Sequence, residues 1–450
     1  MMKKYTTLLS LGCVLLLLCG CGGEPQLPDD NPANHGPLAI METENGYYYN
    51  YGYTTYHLDD SQFSISGYQH LLRYYDKGSQ EAILLCSKPE CEHNGGDSCV
   101  ASYEDLTVIN SVLYEDQIYI YGVVIEDTNI SFNLYRASLD GSAMDKVGTV
   151  LTAQNTIGES CSITPSGMNL QDIPFIIHKG YAYLPYYLRI GKASKGFMGG
   201  GLMQMNLKTG ETKSIYQLDD MMSAFPQEVK GCGDYIYMNI FGSTSSKGTM
   251  RYVISKDCME YPSATAEEDY HPLYHAVTED YLYGFSVTYD PVTATRGDYW
   301  MVYAFDGITG EKREEKDIMT DVHTDEVKNL RTIFPYKDML VIATGERVVL
   351  YSIHEKTYGE KLGEITYHYD YNPLTYNNPL LEYHIANDTL YRVTEQSAVS
   401  IYGDLSDGMG QYILYHVHAC PLEDILQGKG TWTEAFEYQP ARDTQNIFQP

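Results

Sequence analysis

Seven times along this chain a turn-forming residue pair is followed by a short apolar strand, usually rich in tyrosine. The copies are ENGYYYNYG from Glu44, EDQIYIYG from Glu115, HKGYAYLPY from His178, GDYIYMNIFG from Gly233, EDYLYGFS from Glu279, KDMLVIATG from Lys337 and NDTLYRVT from Asn387. Aligned on the turn, they fall at Asn45, Asp116, Lys179, Asp234, Asp280, Asp338 and Asp388, at intervals of 71, 63, 55, 46, 58 and 50. Self-similarity at this spacing is the signature of propeller blades carrying loop insertions, because a unit that cannot bury its own faces must stack on its neighbours.

Each copy has companions. A second alternating strand and hairpin follows, as in NLYRASLDGSAMDKVG, LMQMNLKTGETKSIY, MVYAFDGITGEKREEK and VVLYSIHEKTYGEKLG, with HLLRYYDKGSQEAILL serving the first copy. A further apolar strand precedes most turns, among them LAIMET, TVINSVLY, FIIH, LYHAVT, IFPY and LEYHIA, and would lie nearest the central axis. The Asp, Gly, Lys and Thr pairs between strands suit tight hairpins. The expected fold is all-β, a seven-bladed β-propeller of four-stranded antiparallel blades, at roughly 38–92, 104–152, 172–218, 226–262, 271–318, 329–367 and 379–440 within one domain spanning 38–450. Helical periodicity is confined to the neighbourhood of Leu422 to Gln427. Two β-sandwich domains are the rival arrangement, but no linker or change of composition divides the chain, and radial packing protects strand edges that a single sheet would expose.

Composition agrees. The 44 tyrosines against 11 phenylalanines suit half-buried strands whose rings are covered while the hydroxyls reach water. The apolar fraction of 43% is enough to fill a core and argues against disorder. With 60 acidic against 30 basic residues, a formal charge of −30, the chain repels phosphate backbones and anionic headgroups, so nucleic acid is excluded as a partner.

The amino terminus, MMKKYTTLLSLGCVLLLLCG, sets two lysines before an apolar run from Leu8 to Cys19 that is short for a membrane span. It reads as an export signal over 1–20. The sequence Leu18, Cys19, Gly20, Cys21 looks like a bacterial lipobox, which makes Cys21 the lipidated first residue of the mature chain. A Gly-, Pro- and Asp-rich tether over 21–37 follows. The expected location is the extracytoplasmic face of the cell membrane, held by the lipid on Cys21.

The repeated Tyr-rich hairpins, this lipobox and the segment LLCSKPECEHNGGDSCVA (84–101) together resemble a family of propeller lipoproteins from Gram-positive gut anaerobes, and more distantly TolB-like and YWTD-type propellers. The resemblance implies a fold and an address; it supplies no catalytic residues. A repeated YWTD string, the SxDxGxxW box of sialidases and the Trp docking motif of quinone-dependent propellers are absent from the sequence.

Chemistry-bearing residues are few. Cys86, Cys91, His93 and Cys99 fall within fourteen positions, with Pro89, Gly95 and Gly96 to let the chain wrap. Four such donors would suit one tetrahedral zinc ion, whereas an exported chain can equally use the thiols in a disulfide, or keep them reduced in an anaerobic habitat. After Cys21, seven cysteines remain (Cys86, Cys91, Cys99, Cys161, Cys232, Cys258 and Cys420), so they cannot all pair within one chain. Cys232 and Cys258 flank the fourth hairpin pair and would join neighbouring strands. His416, His418 and Cys420 alternate along one face of a predicted strand, a weaker candidate metal row. His271 and His275 are four apart, but Pro272 opposes the helix that would stack them. The stretch Asp404–Gly408 has oxygen ligands at loop spacing without the bidentate Glu that completes a calcium loop.

Catalytic signatures such as GxSxG, HExxH, phosphate loops and dinucleotide fingerprints are missing. The leading expectation is therefore a non-catalytic propeller that binds a glycan, peptide or protein partner at its channel mouth, with no resident cofactor. Tyr47, Tyr48, Tyr49, Tyr51 and Tyr53 are assigned to blade packing. The alternative is a carbohydrate-active hydrolase or lyase using paired acids such as Asp59 and Asp60, Asp219 and Asp220, or Glu267, Glu268 and Asp269. A third reading is a module that serves a membrane partner.

Overall fold

The computed structural model describes residues 41–437, apart from 60–61, 92–98, 104–105, 127–128, 155–160, 163–174, 191–196, 219–224, 242–245, 263–272, 291–294, 324–331, 368–379 and 401–408. Seven successive groups of four antiparallel strands make seven blades. Blade 1 comprises Met41–Glu42, Gly46–Asp59, Gln62–Asp76 and Glu81–Leu84; blade 2, Leu106–Tyr114, Gln117–Glu126, Asn129–Ser138 and Met144–Gln154; blade 3, Ile176–His178, Tyr181–Ile190, Phe197–Asn206 and Thr212–Leu218. Blade 4 comprises Phe225–Cys232, Tyr235–Phe241, Ser246–Val253 and Cys258–Glu260; blade 5, Ala276–Val277, Tyr281–Asp290, Thr295–Asp306 and Ile318–His323. Blade 6 comprises Thr332–Tyr336, Met339–Ala343, Arg347–Ser352 and Lys361–Thr366, and blade 7 Leu380–Ala386, Thr389–Ser400, Met409–Pro421 and Thr433–Glu437. First strands of neighbouring blades approach one another, which places them innermost. The chain is thus a seven-bladed β-propeller.

The repeated turns explain the repeated sequence. Glu115 and Asp116 take φ of 45° and 58°, and Asn387 and Asp388 take 46° and 59°. Two consecutive left-handed residues form the hairpin turn whose twist matches its flanking strands, and Asn and Asp tolerate that region best among residues with a side chain. Blades 1 and 5 close the same hairpin differently: the backbone N–H and hydroxyl of Thr43 donate to Gly46 O, and those of Thr278 to Tyr281 O. The second hairpins of blades 3 and 5 share one design. Asn206 Oδ1 accepts from Lys208 N and Thr209 N, Asp306 Oδ1 from Ile308 N and Thr309 N, and a left-handed glycine, Gly210 or Gly310, completes each turn.

Between blades lie seven apolar clusters, one for each junction around the ring. Tyr121, Phe132 and Leu134 of blade 2 meet Phe175, Ile177 and Leu184 of blade 3. Val341 and Leu350 of blade 6 meet Ile385, Leu390 and Cys420 of blade 7. The last junction closes the circle: Tyr47 and Tyr49 of blade 1 pack with Ala386, Tyr391, Val417 and Ala419 of blade 7. There Gly46–Asp59 also pairs with Met409–Pro421, from Tyr53↔Tyr412 to Tyr56↔Met409. Each blade keeps its four strands from one continuous stretch, so closure depends on packing and this edge pairing. A polar clamp adds to the junction of blades 4 and 5, where buried Arg251 donates to Gly307 O at 2.7 Å and Ile308 O at 3.1 Å and lies on the Tyr235 ring. Tyr47, Tyr48 and Tyr49 are buried between blades, while the side chains of Tyr51 and Tyr53 fall outside the described residues.

A helix, α1 (Leu422–Leu426), follows the third strand of blade 7, where the sequence showed its one helical stretch. Gly428 ends it at φ 67°, with Gly428 N donating to Ile425 O and Lys429 N to Asp424 O, the glycine-terminated helix stop.

Closure by packing predicts where the ring is most sensitive. Tyr391→Ala should cost about 3–5 kcal/mol, as other buried aromatic truncations do. Ile308→Ala, at 71% exposure, should stay within about 0.5 kcal/mol. Urea unfolding followed by far-ultraviolet circular dichroism checks both.

Candidate functional site

Three arrangements could carry function. The first gathers cysteines at the outer edge of blade 1. Leu72 accepts at its carbonyl from Leu85 N and donates its N–H to Ala101 O, so both ends of the cysteine segment are pinned to one residue. Ser87 N then donates to Gly141 O of blade 2, and Gly141, at φ 66°, sits so close that an added Cβ would come within 2.9 Å of Cys86 N. Cys91 N donates to Lys88 O, closing a turn through Pro89. Val100 is buried in the blade 1–blade 2 core and Ala101 is fully buried beside it, so Cys99 is drawn inward. The outcome is that the sulfurs of Cys86, Cys91 and Cys99 lie within 4.8 Å of one another. His93 falls outside the described residues.

The second is a groove of about 1050 Å³ between the outer strand of blade 6 and α1 of blade 7. Gly363 makes the close approach possible, since a Cβ there would come within 2.7 Å of Ile425 O. Tyr367, His418 and Trp432 supply aromatic surface, and Lys361, Glu364 and Gln427 supply polar groups. Trp432 Nε1 donates to Thr366 O at 3.0 Å, fixing the indole. The guanidinium of Arg392, only 1% exposed, lies 3.2 Å from the centre of the Tyr367 ring and holds it. Glu364 accepts from Lys361 at 2.8 Å and Arg347 at 3.0 Å. The hydrogen bond from Lys361 lowers its pKa, so it is ionised.

The third is a polar network built on the first two strands of blade 4 and on His275, which precedes the first strand of blade 5. Glu228 meets Lys230 at 3.1 Å, Asn239 Nδ2 at 2.7 Å and His275 Nδ1 at 3.7 Å, and Lys230 also donates to His275 O. Glu228 is crowded by protein yet keeps 38% of its side-chain surface open. Crowding opposes its charge, but the Lys230 ammonium and His275 outweigh that and hold its carboxyl well below the usual carboxylate range.

Other residues singled out from sequence fall as follows. Cys232 ends the first strand of blade 4 and Cys258 begins the fourth, in register across two intervening strands (Cys232↔Tyr235, Tyr235↔Val253, Val253↔Cys258). Three strand spacings separate them by roughly 14 Å, about twice what a disulfide tolerates, so the expected link between neighbouring strands is corrected. His416, His418 and Cys420 share the strand Met409–Pro421. Cys420 is fully buried in the blade 6–blade 7 core and His418 lines the groove, while the side chain of His416 is outside the described residues. His275 precedes the first strand of blade 5 and His271 is outside the described residues, as are Cys21, the Asp404–Gly408 stretch and the side chains of all the carboxylate pairs named above. No described helix is long and apolar enough to cross a membrane. Sequence reading missed the groove and the Glu228 network. The only usable signals were Trp432, one of two tryptophans, and the alternation of Glu228 with Lys230 on one strand face.

The architecture defines a β-propeller protein, and comparison with known proteins stops at that level. No protein-family model and no curated protein sequence matches the chain. Among solved structures, the β-propeller domain of the Trilobed protease from Pyrococcus furiosus is similar at 9% identity and a TM-score of 0.43, covering 93% of this chain and 99% of that one. Puromycin hydrolase (9% identity, TM-score 0.43, 91% of this chain) and the Pyrococcus horikoshii acylaminoacyl peptidase (11%, 0.43, 87%) are similar as well. This chain spans about half the length of those two, 55% and 50%. None of these likenesses bears on activity.

The Glu228 network has a definite pH signature. Its lowered carboxyl contributes stability in full above the ordinary glutamate value of about 4.3, and that contribution is lost as pH falls below it toward the lowered value. Lys230→Met should therefore destabilise the protein by on the order of 1 kcal/mol at pH 7, with the gap to wild type narrowing below pH ~4. Urea midpoints at pH 7 and pH 3 measure this.

Proposed function

We propose that this chain is an exported, lipid-anchored propeller that binds without catalysing, tethered through Cys21 and taking a glycan in the groove between blades 6 and 7. The observation that carries the reading is the groove itself, where Tyr367 and Trp432 stand beside Lys361, Glu364 and Gln427. Aromatic faces stack on sugar rings while charged and amide groups bond their hydroxyls, the usual composition of a small-ligand site. Glycoside hydrolysis needs a proton donor and a second carboxylate across the bond. Among the described residues lining the groove, Glu364 is the one carboxylate, and it is held ionised. The partners described for Glu228 are Lys230, His275 and Asn239, which include no carboxylic acid. Both facts favour binding over turnover.

The anchor is tested in cells: a clickable palmitate should label the wild-type chain, and Cys21→Ala should abolish both the label and membrane retention. Binding is tested with the soluble form beginning after Gly23 on glycan and peptide arrays. A glycan should be retained, and Trp432→Ala should weaken it at least tenfold in protein that still unfolds cooperatively. Because Trp432 also packs on the blade 6–blade 7 core, Gln427→Ala, on the exposed rim of the groove, gives a second variant that should weaken it with the unfolding midpoint unchanged. Retention of peptides alone, release of a shortened sugar, or silence on both arrays would each overturn the reading.

A further inference from the structure

We propose that Cys86, Cys91 and Cys99 bind one thiophilic divalent cation of the zinc class through three thiolates. Their sulfurs lie within 4.8 Å of one another. A tetrahedral zinc–thiolate site, with metal–sulfur bonds of about 2.3 Å, sets neighbouring sulfurs at about 3.8 Å. Closing on an ion thus asks each side chain to move by less than about 1 Å, since a rotamer adjustment suffices. A disulfide employs two sulfurs and leaves the third beside it unused, whereas one ion accounts for all three. The donor set consists of soft sulfur alone, which suits zinc and its relatives and not calcium or magnesium.

The scaffold places the sulfurs before any ion arrives. Cys86 is fixed by Leu85 N on Leu72 O and Ser87 N on Gly141 O, and Cys91 by the turn to Lys88 O. Cys99 is 5% exposed and adjoins Val100 and Ala101, which are buried in the core. Binding breaks three S–H bonds and forms three metal–sulfur bonds; three protons go to water, no electrons move, and the three-thiolate complex with a divalent ion carries one negative charge. Affinity must therefore fall as the solution is acidified. His93 lies outside the described residues and is not part of the assigned set.

The test uses the full chain, reduced and stripped of metal, with cobalt(II) as the spectroscopic probe and zinc(II) as competitor. The expected result is one equivalent of ion retained after dialysis, a thiolate-to-cobalt charge-transfer band that zinc abolishes, and protection of three thiols from alkylation by either metal. Cys86→Ser, Cys91→Ser and Cys99→Ser should each weaken binding at least tenfold, while Cys258→Ser, exposed on blade 4, should leave it unchanged. The wild-type spectrum and thiol count do not depend on any variant folding. Absence of the band and of retained ion in the wild type overturns the proposal. So does a disulfide among the three cysteines in protein isolated from zinc-replete anaerobic culture.

Discussion

Everything in this molecule depends on each blade burying its faces against its neighbours in a closed circle. A four-stranded sheet with two apolar faces is not stable alone in water, and two such sheets still leave an outer face uncovered. A ring removes the problem, because every face gains a partner once the last sheet meets the first. Among the described residues, that final contact is made without a strand exchanged between the first and last blades. Tyr47 and Tyr49 against Tyr391 and Val417, with a short run of edge pairing, hold the circle shut. Each fully buried aliphatic or aromatic side chain contributes about 1.5–3 kcal/mol, so the closing cluster counts heavily against a net stability that is usually about 5–15 kcal/mol.

The same constraint accounts for the unusual use of tyrosine. A phenylalanine would fill the same space, but a blade face runs from the crowded axis to the wet rim, and a ring with a polar tip suits both. Tyr48 donates its hydroxyl to Leu139 O of the next blade, Tyr121 donates to Pro185 O, and Tyr351 donates to Asp321 on blade 5. Each bond joins two blades, and the one from Tyr121, whose ring is fully buried, satisfies a hydroxyl inside the core. Burial pushes the Tyr48 phenol up to about 12, so these hydroxyls remain neutral donors at any physiological pH.

What could be read from the sequence follows from range. The turns and alternating strands are local, since Asp116 or Asn387 is chosen for its own backbone angle and Tyr119 for its own face of its own strand. Seven copies of a local pattern then imply a ring, and the Leu422–Leu426 helix was visible for the same reason. The groove was not visible, because it depends on Gly363 lying beneath Ile425, a contact across two blades that no periodicity encodes. The Glu228 network joins residues 47 positions apart, from the first strand of blade 4 to the residue just before the first strand of blade 5. The cysteines fall between these cases: spacing showed that three thiols were near one another in sequence, but not that Leu72 would draw both ends of their segment together. Reading Cys232 and Cys258 as neighbours failed because proximity to the same hairpin pair does not reveal which edge of a sheet a residue occupies.

The longest interval between repeats, 71 residues, separates the first and second copies and contains the cysteine segment. Inserted length ordinarily goes to loops, whose closure entropy grows only slowly with length, so the ring itself tolerates spacings from 46 to 71. Between Cys86 and Cys99 the chain is mostly Gly, Ser, Asn, Pro and charged residues, and it has almost no apolar side chains with which to offset its ordering entropy. Backbone hydrogen bonds at Leu72 and Gly141 hold its two ends, and the sulfurs of Cys86, Cys91 and Cys99 lie within 4.8 Å of one another. The described part of this insertion meets blade 2 where Ser87 N donates to Gly141 O, beside the first junction of the ring.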